Sequence, residues 1–275
     1  MNLQDNGIYI DATLGLGGHA EGILKHSGGC TLVGIDRDSE ALAVAKERLK
    51  GFENVYLARE KFSQMKVVAA DFGISQVDGI LLDLGVSTLQ LKDKGRGFSF
   101  LKDDPLDMRM NPEQELTAGI IVNTYPEKQL ADIIWKYGDE RNSRRIARAV
   151  VRRRCKEPLL TCRELADIIE KTIGRRGRIH PATRTFQALR IEVNSELDEL
   201  SIAVENGAEL LKEGGRFCVI SYHSLEDRIV KHAYRRLAEE GMLRIITKKP
   251  LRPEQEETKI NPSSRSAKLR VAEKI

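Results

Sequence analysis

Between Ile8 and Asp83 the chain alternates short β-branched apolar runs with amphipathic stretches, and this alternation constrains the fold more than any other feature. Strands are predicted at Ile8–Asp11, Thr31–Asp36, Val55–Ala58 and Gly79–Asp83. Helices are expected in the intervals. The clearest spans Ser39 to Lys50, where Ala41, Leu42, Ala45 and Leu49 recur at helical spacing and Gly51 supplies the stop. Strands that alternate with helices build βαβ units and a mostly parallel sheet.

The pattern then changes. From Leu106 to Leu200 strand-like runs disappear, and helical segments take over at Glu127–Tyr137, Ser143–Cys155 and Cys162–Thr172. Afterwards a helix through Ala203–Lys212, a Gly214-Gly215 turn and strands at Arg216–Ser221, Leu243–Thr247 and Lys268–Val271 restore the first pattern. The expectation is an α/β fold: a Rossmann-like seven-stranded sheet (1–104 and 201–275) interrupted by an all-helical insertion domain (105–200). Lys248–Ser266, rich in Pro, Glu and Ser, is expected to be an exposed loop.

A chain of 275 residues can bury a full α/β core and carry a second lobe. It contains no apolar run of about 18 residues and no secretory-type start, so a cytoplasmic location is expected. The four cysteines, Cys30, Cys155, Cys162 and Cys218, are scattered without metal-ligand spacing and are expected to be reduced and structural; no metal is expected. A net charge of +4 is modest, yet the positive residues cluster. One cluster runs through Arg141, Arg144, Arg145, Arg148, Arg152, Arg153, Arg154 and Lys156, and another through Arg175, Arg176, Arg178, Arg184 and Arg190. Arg145, Arg148 and Arg152 fall on one helix face, with Ile146, Ala149 and Val150 turned inward. Such a face suits RNA phosphates, or is simply solvated.

Asp11-Ala12-Thr13-Leu14-Gly15-Leu16-Gly17-Gly18-His19 joins the first strand to a helix, where glycines let a ligand approach the backbone or merely permit a tight turn. Asp36 ends the second strand, where a carboxylate can accept both ribose hydroxyls of an adenosine or cap the helix near Ser39. Asp83 ends the fourth, on the side where open α/β sheets bind ligands. The turn lacks Gly-x-Gly-x-x-Gly spacing, and Asp11 would repel a pyrophosphate but suits the cationic end of S-adenosylmethionine. A methyltransferase is favoured over a dehydrogenase.

These residues resemble the opening motif of the bacterial RsmH (MraW) family. The resemblance continues through Asp83–Gln90, Arg96–Phe100, Pro105–Met110, Thr185–Ile191, Ile220–Arg228 and Ser266–Arg270, in order over nearly the whole chain. It implies a class I methyltransferase sheet with a helical insertion, S-adenosylmethionine as cofactor, and transfer to N4 of a cytidine in the decoding region of 16S ribosomal RNA. It also implies cofactor contacts at Gly17, Gly18, His19, Asp36, Phe62, Asp83 and Gln90. The family carries a further stretch, including a His-x-Pro-Val segment, ahead of the strand near which this sequence begins.

The chemistry expected is in-line displacement at a sulfonium methyl, in which positioning dominates. Asp83, with backbone carbonyls of the Leu84–Ser87 turn, is the candidate acceptor for the amine's protons; the alternative for Asp83 is a cofactor contact or strand-end cap. Asp83-Leu84-Gly85-Val86 stands where related amino-methyltransferases carry an Asp/Asn-Pro-Pro-aromatic turn, but lacks its prolines and aromatic. No cysteine sits where C5 methylation would need a nucleophile. His223 could reach the substrate side and contact RNA, or bond its own turn. Two other functions fit the residues alone: a methyltransferase with a protein or small-molecule substrate, and an RNA-binding factor without turnover.

Overall fold

A computed structural model describes residues 1–87, 90, 95–175 and 180–275. Thr88 and Leu89 of the Asp83–Gln90 block, and Arg176 and Arg178 of the second arginine cluster, lie outside the described residues. The strands are β1 (Ile8–Asp11), β2 (Thr31–Asp36), β3 (Val55–Arg59), β4 (Val77–Asp83), β5 (Leu211–Ser221), β6 (Leu243–Ile245) and β7 (Lys268–Lys274). They form one sheet in the order β3-β2-β1-β4-β5-β7-β6. All neighbours are parallel except β7, which runs antiparallel to both β5 and β6. This is the seven-stranded arrangement of class I methyltransferases.

In chain order the α-helices are α1 (Gly18–His26), α2 (Ser39–Leu49), α3 (Met65–Asp71), α4 (Ala118–Thr124), α5 (Glu127–Gly138), α6 (Ser143–Arg154), α7 (Cys162–Ile173), α8 (Thr183–Asn194), α9 (Glu196–Leu210), α10 (Ser224–Glu239) and α11 (Gln255–Ile260). The chain divides into two compact units, residues 1–85 with 197–275, and 86–196.

In the first unit, β1 and β2 are buried on both faces, as expected of parallel strands covered by helices. Their pleat sorts the side chains. Tyr9 and Leu32 pack with Ile23, Ala45 and Leu49 of α1 and α2, whereas Ile10 and Val33 pack with Val204 of α9 and Val230 of α10. β1 pairs with β2 on one side and β4 on the other, so the chain reverses direction across the sheet at β1. The carboxyl ends of β1, β2 and β4 therefore share one edge, where open sheets of this kind hold ligands.

Two expectations need correction. The helix predicted over Ala203–Lys212 is α9, Glu196–Leu210, and Lys212 already lies in β5. The Gly214-Gly215 pair turns inside the strand: Gly214 has φ +77°, and the β4–β5 register jumps from Val77↔Leu211 to Gly79↔Arg216. Second, the predicted loop Lys248–Ser266 contains α11 and a 3-10 turn at Pro262–Ser266. Glu256 and Glu257 favour its first turn electrostatically, but it buries no residue and so leaves no hydrophobic period to detect.

The helical unit has its own core. Leu130 and Ile134 of α5 meet Ile146 and Val150 of α6, Leu165 and Ile169 of α7, and Phe186 and Leu189 of α8. Thr161 and Glu164 form a capping box at the start of α7. All four cysteines are free, with Cys30, Cys162 and Cys218 buried; burial pushes the Cys162 thiol up to about 12.

Candidate active site

The β1–α1 turn is stitched into the sheet by its backbone: Ala12 N–H donates to Leu81 O at 3.0 Å and Leu14 N–H to Ile35 O at 2.9 Å. Gly17, which precedes α1, has φ +77°, and a Cβ there would stand 3.3 Å from the Ala45 Cβ. Both conformation and close packing on α2 require glycine. The Asp36 carboxylate accepts from Gly15 N–H at 2.8 Å and Asp38 N–H at 2.9 Å, and burial raises its pKa. It holds the turn's shape, and each oxygen keeps a further lone pair. Asp36 does not cap α2; Asp38 does, accepting from Glu40 N–H at 3.1 Å.

Asp11 is fully buried. Its Oδ1 accepts a long hydrogen bond from Thr13 N–H at 3.3 Å, and its Oδ2 has no partner among the described residues. Desolvation drives this carboxyl up to about 7, against the opposing pull of His19. An unpartnered buried carboxyl oxygen is costly in a folded protein and marks a place where a cation or donor belongs.

Asp83 lies between two donors. Its Oδ1 accepts from the Tyr222 hydroxyl at 3.0 Å, and its Oδ2 is 3.2 Å from His19 Nε2. The backbone is fixed as well, since Asp83 N–H donates to Thr13 Oγ1 at 2.5 Å and Leu84 N–H to Ile220 O at 2.9 Å. The hydrogen bond to Asp83 raises the His19 pKa, opposed by partial burial. Burial, then the charge of Asp83, pushes the Tyr222 phenol up. Gly85, at φ +107°, turns the chain beside the Tyr222 ring.

Phe62 opens a 3-10 turn after β3, with the Arg37 guanidinium 5.8 Å from its ring centroid. Its neighbours anchor the turn to α9: Ser63 donates to Glu199, the Lys61 ammonium reaches Glu199 at 2.8 Å, and Asn206 donates to Ser63 O at 2.8 Å. His223 sits at the N-cap of α10, its Nδ1 accepting from Glu226 N–H at 3.4 Å. The Glu226 carboxylate returns the favour to the N–H groups of Tyr222 and His223 at 2.8 and 3.1 Å. His223 Nε2 lies 3.1 Å from Glu226 Oε1, without the alignment of a hydrogen bond. Gln90 belongs to the helical unit, where its side chain accepts from Ser87 N–H at 3.0 Å.

Gly17, Gly18, His19, Asp36, Phe62 and Asp83 thus all lie in the sheet unit, and His19 and Asp83 touch directly. Sequence reasoning missed Tyr222, Thr13, Glu199 and Glu226 as parts of this arrangement. The available signal for Tyr222 was its place just after a strand end on the ligand-binding edge.

On α6, Arg144, Arg145, Arg148 and Arg152 are exposed, while Ile146, Ala147 and Val150 are buried. Ala147, not Ala149, is the inward alanine. The arginines differ in employment: Arg145 donates to Thr172 O at 2.8 Å, Arg148 is 3.5 Å from Glu127, and Arg154 donates to Val122 O and Tyr125 O at 2.7 Å each. Arg144 and Arg152 have no polar partner among the described residues. In the second cluster, Arg190 forms a two-pronged pair with Glu196, and Arg184 donates to Asp139 O at 3.0 Å.

The profile of the MraW methylase family matches residues 1–275. Ribosomal RNA small subunit methyltransferase H of Clostridium botulinum (strain Kyoto / Type A2) is 47% identical, the alignment covering 100% of this chain and 95% of that protein. The protein of the same name from Coprothermobacter proteolyticus is 50% identical over 98% of this chain and 91% of its own. Among solved structures, an rRNA methylase from Streptococcus thermophilus is similar at a TM-score of 0.47 and 13% identity, over 99% of this chain and 89% of that one.

Proposed function

The chain belongs to the MraW methylase family, and from that premise we propose that it transfers a methyl group from S-adenosylmethionine to N4 of a cytidine in the decoding region of small-subunit (16S) ribosomal RNA. The observation that carries this reading is Asp83, held between His19 and Tyr222 at the carboxyl end of β4.

The residues of the β1–α1 edge fit the cofactor. Asp11 Oδ2 is a buried acceptor without a donor, suited to a cationic group. Asp36 retains lone pairs for ribose hydroxyls after engaging Gly15 and Asp38. Phe62 offers an apolar face to an adenine from an anchored turn, and Gly17, Gly18 and His19 complete the set. Gln90 is kept as a cofactor contact on the family motif alone. S-adenosylmethionine supplies an electrophilic methyl on a sulfonium, so no protein nucleophile is required.

A cytosine amine is a poor nucleophile because its lone pair delocalises into the ring. A carboxylate that accepts one of its protons restores density to the nitrogen and fixes its direction toward the methyl. Two features support Asp83 in this role: its two partners orient the carboxylate, and each oxygen still has a free lone pair. His223, as a helix cap, orders the turn that carries Tyr222, and its ring nitrogens are occupied by the cap or buried, so its part is positional rather than an RNA contact.

On the helical unit we assign Arg145, Arg148 and Arg152 to RNA phosphates, with Arg152 contributing most because it has no partner among the described residues. No described helix is long and apolar enough to cross a membrane, and a cytoplasmic enzyme acting at the small ribosomal subunit is consistent with that. The test is to offer labelled S-adenosylmethionine with purified small subunits or with cell extract freed of RNA. Label should enter RNA; label entering only protein contradicts the proposal.

A further inference from the structure

We infer that the exposed crest of α10 is a phosphate-binding track carried by the sheet unit itself, taking the RNA strand that flanks the modified nucleotide. The inference rests on the RNA reading above and adds a second contact surface to it.

The helix begins at His223, in the turn that places Tyr222 on Asp83, and Glu226 locks that start. Glu226, Val230, Tyr234 and Leu237 are buried. On the opposite side Arg228, Lys231 and Arg235 follow at i, i+3 and i+7, with His232 between them and Glu239 closing the row. At 1.5 Å per residue the three cations span about 10 Å of axis, starting about 7 Å from the cap. The helix then packs back along the sheet, Tyr234 donating to Phe217 O at 3.0 Å, so the row leads from the carboxyl edge down the flank of the unit.

Many other cations of this unit are neutralised, and those unpaired among the described residues, such as Lys46, Lys248, Lys249 and Arg252, form no row along one helix face. Arg236, on the same helix, is held by Glu205 and Glu240; Arg216 and Arg244 are held by Glu273, Lys212 by Asp78 and Lys66 by Glu209. Arg228, Lys231 and Arg235 make no hydrogen bond or ion pair among the described residues. Arg228 and Arg235 are exposed and Lys231 is half-buried. The crest has no Phe, Tyr or Trp for base stacking, and three cations against one imidazole suit backbone phosphates rather than bases.

The test uses the full chain with Arg228→Gln, Lys231→Gln and Arg235→Gln combined, beside a control with Lys46→Gln on α2 and Lys248→Gln and Lys249→Gln after β6, which are likewise unpaired among the described residues. Methyl transfer to small subunits is followed against salt concentration, and S-adenosylmethionine binding by calorimetry. The crest variant should raise KM for the particle about tenfold or more and flatten the log–log salt slope by about 2, since each lost single-strand phosphate contact removes about 0.7. Cofactor affinity should not move, and the control should keep both KM and slope. Unchanged KM and slope in the crest variant overturn the inference, as does an equal fall in the control, which would mean net charge alone. If the wild-type chain methylates no RNA, the functional reading fails first. A crest variant that loses only methylation of a protein would assign the surface to an acidic protein instead.

Discussion

Tyr222 and His19 hold Asp83 from opposite oxygens, and their removal should have separable effects. Tyr222→Phe keeps the ring beside Gly85 and deletes only the donor, so kcat should fall about tenfold with little change in cofactor affinity. Equal loss of affinity and rate would show instead that the hydroxyl shapes the cofactor side. His19 reports the same contact spectroscopically. The hydrogen bond to Asp83 raises its pKa above 6.5, so in Asp83→Asn the imidazole should titrate lower, as read by NMR. The His19 contribution to stability is present below that ordinary value and fades as pH rises through the raised one.

Asp11 gives the opposite sign. Its folded-state pKa of about 7 exceeds the ordinary 3.8, so the free protein binds an extra proton over that interval and loses stability as pH rises through it. A cationic ligand would favour the charged form. Binding of S-adenosylmethionine near neutral pH, where this carboxyl is about half protonated, should therefore release about half a proton, seen as a calorimetric heat that depends on buffer ionisation. Asp11→Asn should abolish this release, weaken binding, and stabilise the free protein at neutral pH. A release that survives the substitution would place the proton elsewhere.

Helices and strands were legible where they bury a periodic face. α5 to α7 carry a strong apolar stripe, and their predicted spans match the observed ones within a residue or so. α11 buries nothing, and β5 hides its start behind a glycine pair that local turn chemistry cannot distinguish from a loop. The arginines of α6 show the same limit, since spacing gave the face but not which members serve the fold. Arg154 satisfies two carbonyls at the end of α4, so Arg154→Ala should lower stability by about 1–3 kcal/mol in denaturant unfolding. Arg152→Gln should leave the midpoint unchanged and weaken RNA binding. The reverse pattern would mean that Arg152 has a structural partner and Arg154 does not.

The sheet order brings the acids of β1, β2 and β4 to one edge, and this much of the site was readable because each acid ends a predicted strand. Tyr222 was not, because it meets Asp83 only through the pairing of β4 with β5 across 139 residues of chain. Local sequence carries no record of such a partner. Glu199 is similar, reaching the Phe62 turn from α9, beyond the helical unit.

The proposed role of Asp83 is in transfer to the exocyclic amine of a cytidine in small-subunit RNA. It is tested most directly by incubating unmodified small subunits with the protein and isotopically labelled S-adenosylmethionine, then digesting the RNA to nucleosides for mass spectrometry. Labelled N4-methylcytidine should come from one decoding-region fragment, present with the wild-type chain and lost with Asp83→Asn. Label on carbon 5 of cytidine, on another base or on ribose, or N4-methylcytidine formed undiminished by Asp83→Asn, would contradict it.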